Sequence, residues 1–360
     1  MKYEYWFAGI KGVSDQKKIR LKEAFSSAES IYYIEETALR QRKILTEKEM
    51  ECVMQAKRQQ DLEEQLNAFK EQNIQAVFWG QRGYPSRLQK IYDPPYAVYY
   101  RGNLPKETGC CIAIVGARNC TPYGEKYALE YGRKLAEAGV QIISGLARGV
   151  DGLGQRGALL GNGHTFAVLG SGADVCYPRE HMGLYQDILD QEGGILSELL
   201  PGTPPLPQHF PRRNRIISAL SDVVLVMEAR ERSGSLITAD LALEQGKDVY
   251  ALPGPVNSSL SQGCNRLIAQ GAGILLSPEE LLKELQIEYE AAGEKPDKNK
   301  KVLESHEYMV YSCVGLYPKS AGQLIEETKL YPEEVLRILV SLELQGYIRE
   351  ISKNYYIKVK

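Results

Sequence analysis

Five turns of this sequence combine arginines, hydroxyl side chains and glycines, which are the residue types that bind phosphate oxygens. The guanidinium group of arginine offers a planar set of donors, and glycine lets a ligand approach backbone N–H groups closely. The turns lie at 116–124, 144–152, 170–181, 210–216 and 229–239. The candidate ligand contacts in them are Gly116, Arg118, Thr121, Ser144, Gly145, Ala147, Gly149, Arg179, Arg212, Arg213, Asn214, Arg215, Ser233, Ser235 and Thr238.

A single turn of this kind is more often a tight connection with a solvated arginine, and for one turn alone we favour that interpretation. Five such turns at one sheet edge would offer more donors than a mononucleotide needs. A groove of this kind, with bases stacked on aromatic rings, is typical of proteins that bind single strands. Tyr123, Tyr177 and Phe210 are candidates for stacking, although we expect each of them to pack in the core.

The turns follow a regular alternation of short apolar segments and helical patterns. Segments such as 111–116 have the length and apolarity of buried strands, and helical patterns such as 123–138 separate them. The alternation predicts an α/β fold, an extended Rossmann-like, doubly wound parallel sheet whose ligands bind at the carboxyl ends of the strands. The predicted strands span 111–116, 140–144, 165–170, 194–198, 222–229 and 248–254.

The overall composition limits the function. The net charge is −2, and 11 arginines and 3 lysines stand against 16 acids between residues 111 and 275, so a basic site must be local. Seven cysteines without a Cys-x-x-Cys pair and four histidines give no metal-ligand spacing, so we expect no metal and no cofactor. No apolar run reaches the roughly 18 residues of a membrane span. The N-terminal residues lack a signal-peptide pattern, and we expect a cytoplasmic protein without a membrane partner.

Changes in pattern divide the chain into four parts. Residues 1–72 are predicted to form a helical domain resembling SAM or helix-hairpin-helix domains. Within it, the GIKGVS segment at 9–14 is either a hairpin that binds the DNA backbone or, as we favour, a plain connection. Residues 73–285 form the Rossmann-like domain, 286–301 a charged linker, and 302–360 a winged-helix domain of three helices and a β-hairpin.

The third helix of the predicted winged-helix domain is acidic. It carries Glu333, Glu334 and Glu343 against Arg337. Acids on a helix that would enter a DNA groove repel phosphates. We therefore favour a protein-contact or autoregulatory module over a reader of duplex DNA.

The sequence from about Ala97 to Leu275 resembles the core of the DprA (Smf) family of DNA-processing proteins. GARNCTPYG and SGLARGVDG are similar to two signatures of that family. A helical N-terminal region and a winged helix also occur in its members. The later segments that match are AVLGSGADVCYP, FPRRNRIISALSD, SGSLITADLALEQGKDVYALPG and GCNRLIAQGA.

The resemblance implies a homodimer formed through the Rossmann-like domain, binding of single-stranded DNA entering the cell, and loading of the RecA recombinase during natural transformation. It also implies a basic pocket residue at Arg179. Gly154 and Gln155 depart from the Ala-His pair of many members, and we expect this position to make a helix-facing contact rather than to bind phosphate. The phosphate contacts implied by the resemblance are Gly116, Arg118, Thr121, Ser144, Gly145, Ala147 and Gly149.

Two enzyme classes are the alternatives. A nicotinamide-dependent oxidoreductase needs a Gly-x-Gly-x-x-Gly turn, which neither GARNCT nor GSGADV provides. The better alternative is a nucleotide-binding enzyme related to the Lonely-Guy-type phosphoribohydrolases, because SGSLITADLALE resembles their phosphate loop. That loop has a glutamate three residues after its threonine, whereas Leu241 follows Thr238 here, and Asp240 and Glu244 lie at other helical phases. We therefore expect a binding protein with no catalytic residues.

Overall fold

The protein, described from a computed structural model, folds into two compact units. The first comprises Met1–Cys120 and Tyr127–Glu288, and the second comprises Thr121–Lys126 and Tyr289–Lys360. Within the part of the chain that the structure describes, no helix is long and apolar enough to cross a membrane. The described residues are 1–59, 69, 72–288, 305–314 and 318–358.

Short helices joined by capped turns form the N-terminal segment. They are α1 Lys2–Gly9, α2 Asp15–Phe25, α3 Ala28–Tyr33, α4 Glu36–Gln41 and α5 Glu47–Gln59. The Ser14 hydroxyl accepts a hydrogen bond from Lys17 N at the start of α2, as an N-cap serine does. The connection from α1 to α2 turns at Gly12, whose φ of +84° favours glycine.

In the described part of the first unit, strands form one nine-stranded sheet. They are β1 Gln75–Phe78, β2 Ala97–Gly102, β3 Cys111–Val115, β4 Gln141–Ser144, β5 Thr165–Val168, β6 Gly194–Ser197, β7 Val223–Val226, β8 Asp248–Ala251 and β9 Gly273–Ile274. Their order is β1-β2-β6-β5-β4-β3-β7-β8-β9, and neighbours from β6 to β9 are parallel. The β1–β2 and β2–β6 pairs are antiparallel, an orientation that the sequence did not predict.

Helices alternate with these strands and cover both faces of the sheet. They are α6 Ser86–Gln89, α7 Pro122–Glu137, α8 Val150–Leu160, α9 Met182–Asp190, α10 His209–Leu220, α11 Gly234–Glu244, α12 Gln262–Ala269 and α13 Pro278–Glu284. In β5, Phe166 and Val168 join one apolar cluster, whereas Ala167 joins the cluster of the opposite face. Burial on alternate sides of a strand requires cover on both faces. The predicted doubly wound α/β fold is therefore confirmed.

A further apolar core joins the N-terminal helices to the sheet. The rings of Phe7 and Tyr96 lie 5.2 Å apart, and those of Tyr5 and Phe78 lie 5.0 Å apart. Trp6 is fully buried in the same cluster. The predicted helical domain thus shares a core with the sheet and belongs to the same compact unit.

Between residues 305 and 358, the described part of the second unit forms three helices and a small antiparallel sheet. They are α14 Ser305–Cys313, α15 Ala321–Thr328 and α16 Pro332–Leu344, with β10 Lys319–Ser320, β11 Ile348–Ser352 and β12 Tyr355–Lys358 in the order β10-β12-β11. This arrangement is the predicted winged helix. Helix α16 buries Leu339 and Leu342 but exposes Leu336, Val340 and Leu344. The predicted linker lies outside the described residues from residue 289 onward.

Candidate nucleic-acid interface

A cavity of about 570 Å³ opens at the carboxyl ends of β3, β4 and β7. The strand order reverses at this point, because the chain runs outward from β3 to β6 and then returns to β7 on the other side of β3. Ligands of doubly wound sheets bind at such switch points. All five predicted turns contribute residues to the cavity wall.

Two buried charged residues, Asp151 and Arg213, form the floor of the cavity around Gly145. Gly145 N donates to Asp151 Oδ2 at 3.1 Å, and Arg213 Nη1 donates to Gly145 O at 2.9 Å and also to Val168 O. Burial raises the pKa of Asp151 although Arg213 opposes the rise, and burial lowers the pKa of Arg213 to about 10. A Cβ on Gly145 would lie 2.5 Å from Arg213 Nη1. Arg213 and Gly145 therefore hold the floor together instead of facing a ligand.

Two further glycines allow the first and second turns to pack on each other. A Cβ at Gly116 would lie 2.8 Å from the Val150 side chain, and one at Gly149 would lie 2.5 Å from Arg118 O. Gly149 also has a φ of +67°, which disfavours other residues. At both glycines the group that approaches closely is another part of the protein and not a ligand. This packing fixes the shape of the cavity rim.

Hydrogen bonds within the protein also hold the second turn from below. The Ser144 hydroxyl is fully buried and donates to Ile114 O at 2.6 Å. Gln155 is fully buried, accepts from Leu146 N at 3.1 Å and donates to Thr165 Oγ1 at 3.3 Å. Gln155 therefore makes an internal contact, as expected, although its partners lie in a turn and a strand and not in a helix. Ser144 supports the same turn, and its assignment as a phosphate contact stays a prediction.

The open side of the cavity carries an arginine beside two aromatic rings. Arg118 is exposed, and its guanidinium carbon lies 5.8 Å from the centre of the Phe210 ring. Tyr177 lies 5.5 Å from Phe210, and 43% of Tyr177 is exposed. The expectation that Tyr177 packs in the core is therefore wrong, because its ring faces the cavity mouth.

The start of helix α11 forms the wall opposite β3. The hydroxyl groups of Ser233 and Ser235 lie 2.7 Å apart, and Asn214 Nδ2 donates to Gly234 O at 3.3 Å. The first turn of a helix presents N–H groups that attract anions. Thr238 is buried one turn further along and supports this wall without facing solvent.

The four polar residues 212–215 do not form one cluster. Asn214 and Arg213 line the cavity, whereas Arg212 and Arg215 turn towards Glu198. Arg212 Nη2 lies 3.2 Å from Glu198 Oε2, and buried Arg215 pairs with Glu198 and lies 3.4 Å from Asp93 Oδ2. These four residues therefore lie in two different surroundings, and their contact with a ligand stays a prediction.

The remaining candidates lie on the surface near turn or helix starts. Arg179 is exposed at the start of a short 3-10 helix, two residues after Tyr177. Ala147 lines the cavity and is half-buried. Thr121 precedes α7, and its hydroxyl accepts from Gly124 N at 3.3 Å.

The cavity lining carries more basic than acidic residues although the protein as a whole has a net charge of −2. Among the described residues that line it, Arg118, Arg213 and Arg230 are basic and Asp151 is acidic. Sequence reasoning did not select Asp151 or Arg230. Asp151 lies inside the SGLARGVDG segment and Arg230 lies in the turn at 229–239 that follows β7, so both residues belong to segments that the sequence already singled out. The described residues contain no group of three or more potential metal ligands.

Comparison with protein families places both units. Residues 75–286 match the model described as DNA recombination-mediator protein A, and residues 294–352 match the DprA winged helix domain. Protein Smf of Escherichia coli is 40% identical over 284 residues, which cover 76% of this chain and 74% of that protein. DNA processing protein DprA of Streptococcus pneumoniae is 43% identical over 203 residues, which cover 56% and 71% respectively.

Solved structures agree with this assignment. The structure of DprA from Streptococcus pneumoniae matches with a TM-score of 0.70 at 33% identity, over 81% of this chain and 99% of that chain. DNA processing protein A from Helicobacter pylori, described for its single-stranded DNA binding mode, matches with a TM-score of 0.54 at 32% identity, over 60% and 97% respectively. The chain therefore belongs to the family of DNA recombination-mediator protein A, also called DprA or Smf.

Proposed function

We propose that this protein binds single-stranded DNA in the cavity at the switch point of its sheet. The observation that carries the proposal is the exposed Arg118 beside the rings of Phe210 and Tyr177. Arginines bind phosphates and aromatic rings stack on unpaired bases, and a single strand presents both groups at once. The description of the Helicobacter pylori relative by its single-stranded DNA binding mode supports the same ligand.

The proposal assigns direct contacts to the exposed side of the cavity and its margins. Arg230, which the sequence reasoning missed, joins Arg118 as a phosphate ligand because it lines the cavity and is exposed. The buried residues Ser144, Gly145, Thr238 and Arg213 position the walls. The predicted contacts that we retain at the cavity are Arg118, Ala147, Asn214, Ser233 and Ser235, with Arg179 near its margin. Gly116 and Gly149 shape the rim. A phosphate contact at Thr121 stays a prediction from the family resemblance.

A salt titration tests this proposal. We expect Arg118→Ala to weaken binding to oligonucleotides of every sequence and to reduce the slope of log K against log salt by about 0.7, the value for one phosphate contact on a single strand. Arg133→Ala is the matched control, because Arg133 is exposed on α7 and does not line the cavity. An unchanged slope for Arg118→Ala, or an equal effect of both variants, would refute the placement.

We propose further that the protein is not an enzyme. The position that carries glutamate in the Lonely-Guy-type loop is Leu241, and Asp151 is the acid among the described lining residues. Asp151 already accepts from Gly145 N and is buried against Arg213, so its carboxylate has a structural role. The competing proposal predicts release of a free base from a nucleoside monophosphate. Chromatography of a nucleoside monophosphate after incubation with the protein distinguishes the two proposals, because only the enzyme would produce a free base.

Loading of the RecA recombinase and homodimer formation are the partner interactions that we propose from the family resemblance. Both place the protein in the cytoplasm during uptake or maintenance of DNA. For the dimer, the edge strand β9 and Leu276, two residues after it, offer a surface, since Ile274 and Leu276 are 47% and 66% exposed. Leu276→Glu should shift the sedimentation coefficient to that of a monomer.

For RecA, formation of its filament on a strand covered with single-strand-binding protein should accelerate when this protein is added.

The winged helix is proposed as a protein-contact module. Its helix α16 exposes Leu336, Val340 and Leu344, and the same helix carries Glu333 at its start. Apolar side chains and acids suit a protein partner better than the phosphates of a DNA groove. Removal of residues 302–360 should then leave affinity for duplex DNA unchanged.

A further inference from the structure

A second cavity, of about 740 Å³, opens beside the first turn of helix α10. The connection from α1 to α2 forms one wall, and the segment that follows β6 forms another. Neither the family resemblance nor the function proposed above assigns a role to it. Its lining includes the GIKGVS segment at 9–14, for which two interpretations are open: a plain connection or a turn that binds the DNA backbone.

The exposed groups at this second cavity repeat those of the first. Tyr92 lies on its rim, and 93% of its surface is exposed. Lys11 is exposed at the turn, and the Arg212 side chain is 50% exposed. The second cavity thus has an aromatic ring, an ammonium group and a guanidinium group at its opening. The first cavity has two aromatic rings and arginines at its opening.

The acids in the wall are already paired with bases. Asp15 lies 3.8 Å from Lys18 Nζ and 3.7 Å from Arg212 Nη2, and Glu198 lies 3.2 Å from the same Arg212 nitrogen. Lys18 is buried and also donates to Ala8 O at 2.6 Å. Asp93, the third acid of the lining, lies 3.4 Å from Arg215 Nε. Paired carboxylates repel an incoming phosphate less than unpaired carboxylates would.

Helix α10 connects the two cavities. Arg212 lines the second cavity, and its neighbours Pro211, Arg213 and Asn214 line the first. Arg212 and these neighbours are consecutive or nearly consecutive along α10, so the walls of the two cavities adjoin in the first turns of this helix.

We propose that the second cavity binds a nucleotide of the same single strand, with a base stacked on Tyr92 and phosphates contacting Lys11 and Arg212. This inference rests on the proposed function, because it extends the path of the same DNA. The ligand class is an unpaired polynucleotide longer than the segment that fills the first cavity.

A length series of fluorescent oligothymidylates tests the inference on the full chain, from about 3 to about 20 nucleotides, a range that brackets common site sizes. Tyr92→Ala should weaken binding of the longest oligonucleotide about 5- to 150-fold, the range expected for loss of one stacked base, and leave the shortest unchanged. Tyr92→Phe should restore the affinity, because stacking needs the ring and not the hydroxyl. Lys11→Ala should lower the salt slope by about 0.7 for long oligonucleotides alone.

Tyr331→Ala and Lys48→Ala serve as matched controls, since both residues are exposed and line neither cavity. Failure of the unmodified protein to bind any single strand would overturn the proposed function and this inference with it. Normal binding that Tyr92→Ala leaves unchanged at every length would overturn the inference and leave the proposed function standing. An equal loss for short and long oligonucleotides would also overturn it, because an extension of the path affects long strands alone.

Discussion

Replacement of Arg213 by methionine tests whether this arginine holds the cavity floor or contacts DNA. The residue is 5% exposed, and its guanidinium group donates to Gly145 O and Val168 O beside buried Asp151. Removing one member of a buried charged group typically costs about 3–5 kcal/mol, because the other charge loses its compensation. We expect Arg213→Met to lower the free energy of unfolding by about that amount.

Urea unfolding followed by tryptophan fluorescence measures this effect. Trp6 is fully buried in the first unit and reports its unfolding directly. Arg118→Ala is the contrasting variant, since a substitution of an exposed side chain changes stability by less than about 0.5 kcal/mol. Unchanged stability of Arg213→Met together with weaker DNA binding would refute the supporting role and restore Arg213 as a direct contact.

The pH dependence of the same variant gives a second check. Arg213 opposes the rise in the pKa of Asp151, so its removal raises that pKa further. A carboxyl group whose pKa is raised on folding costs stability once the pH exceeds the pKa in the unfolded chain, about 3.9, and costs none below it. The stability difference between Arg213→Met and the unmodified protein should therefore narrow as the pH falls towards 4. A second substitution, Asp151→Asn, added to Arg213→Met should restore about 1–3 kcal/mol of the lost stability at neutral pH. This amount is the coupling energy between the two residues.

Three further variants separate support from contact. Gly145→Ala places a Cβ 2.5 Å from the Arg213 guanidinium group, and we expect a loss of about 1–3 kcal/mol in urea unfolding. Gln155→Ala leaves two buried polar partners without their hydrogen bonds, and the melting temperature should fall by an amount that corresponds to about 1–3 kcal/mol. Tyr177→Ala should weaken single-strand binding by about 1–3 kcal/mol in a titration while Tyr177→Phe does not, and equal losses in both would contradict stacking.

The alternating apolar segments predicted the parallel sheet and the edge at which the cavity opens. These segments did not predict that β1 and β2 pair antiparallel, because the apolar pattern of a strand is the same whether the strand runs parallel or antiparallel to its neighbour. The sequence also cannot distinguish a glycine that admits a ligand from one that admits a neighbouring turn. Gly116 and Gly149 belong to the second kind, and only the position of the facing turn reveals it.

The division of residues 212–215 follows from where helix α10 begins. The helix begins at His209 and includes Pro211 in its first turn, where proline is tolerated. In a helix, residues three apart share a face, so Arg212 and Arg215 point together towards Glu198. Once the helix start at His209 is known, helical spacing alone separates Arg212 and Arg215 from Arg213.

The near-neutral charge of the chain is compatible with binding to a polyanion because its arginines have two different roles. Arg213 and Arg215 are buried, and their charges are compensated by backbone carbonyls and acids inside the protein. Arg118 and Arg230 are exposed at the cavity and remain available to phosphates. Few phosphate contacts imply a shallow salt dependence, so much of the affinity must come from stacking on aromatic rings. Stacking does not discriminate between bases, which suits a protein that meets single strands of any sequence.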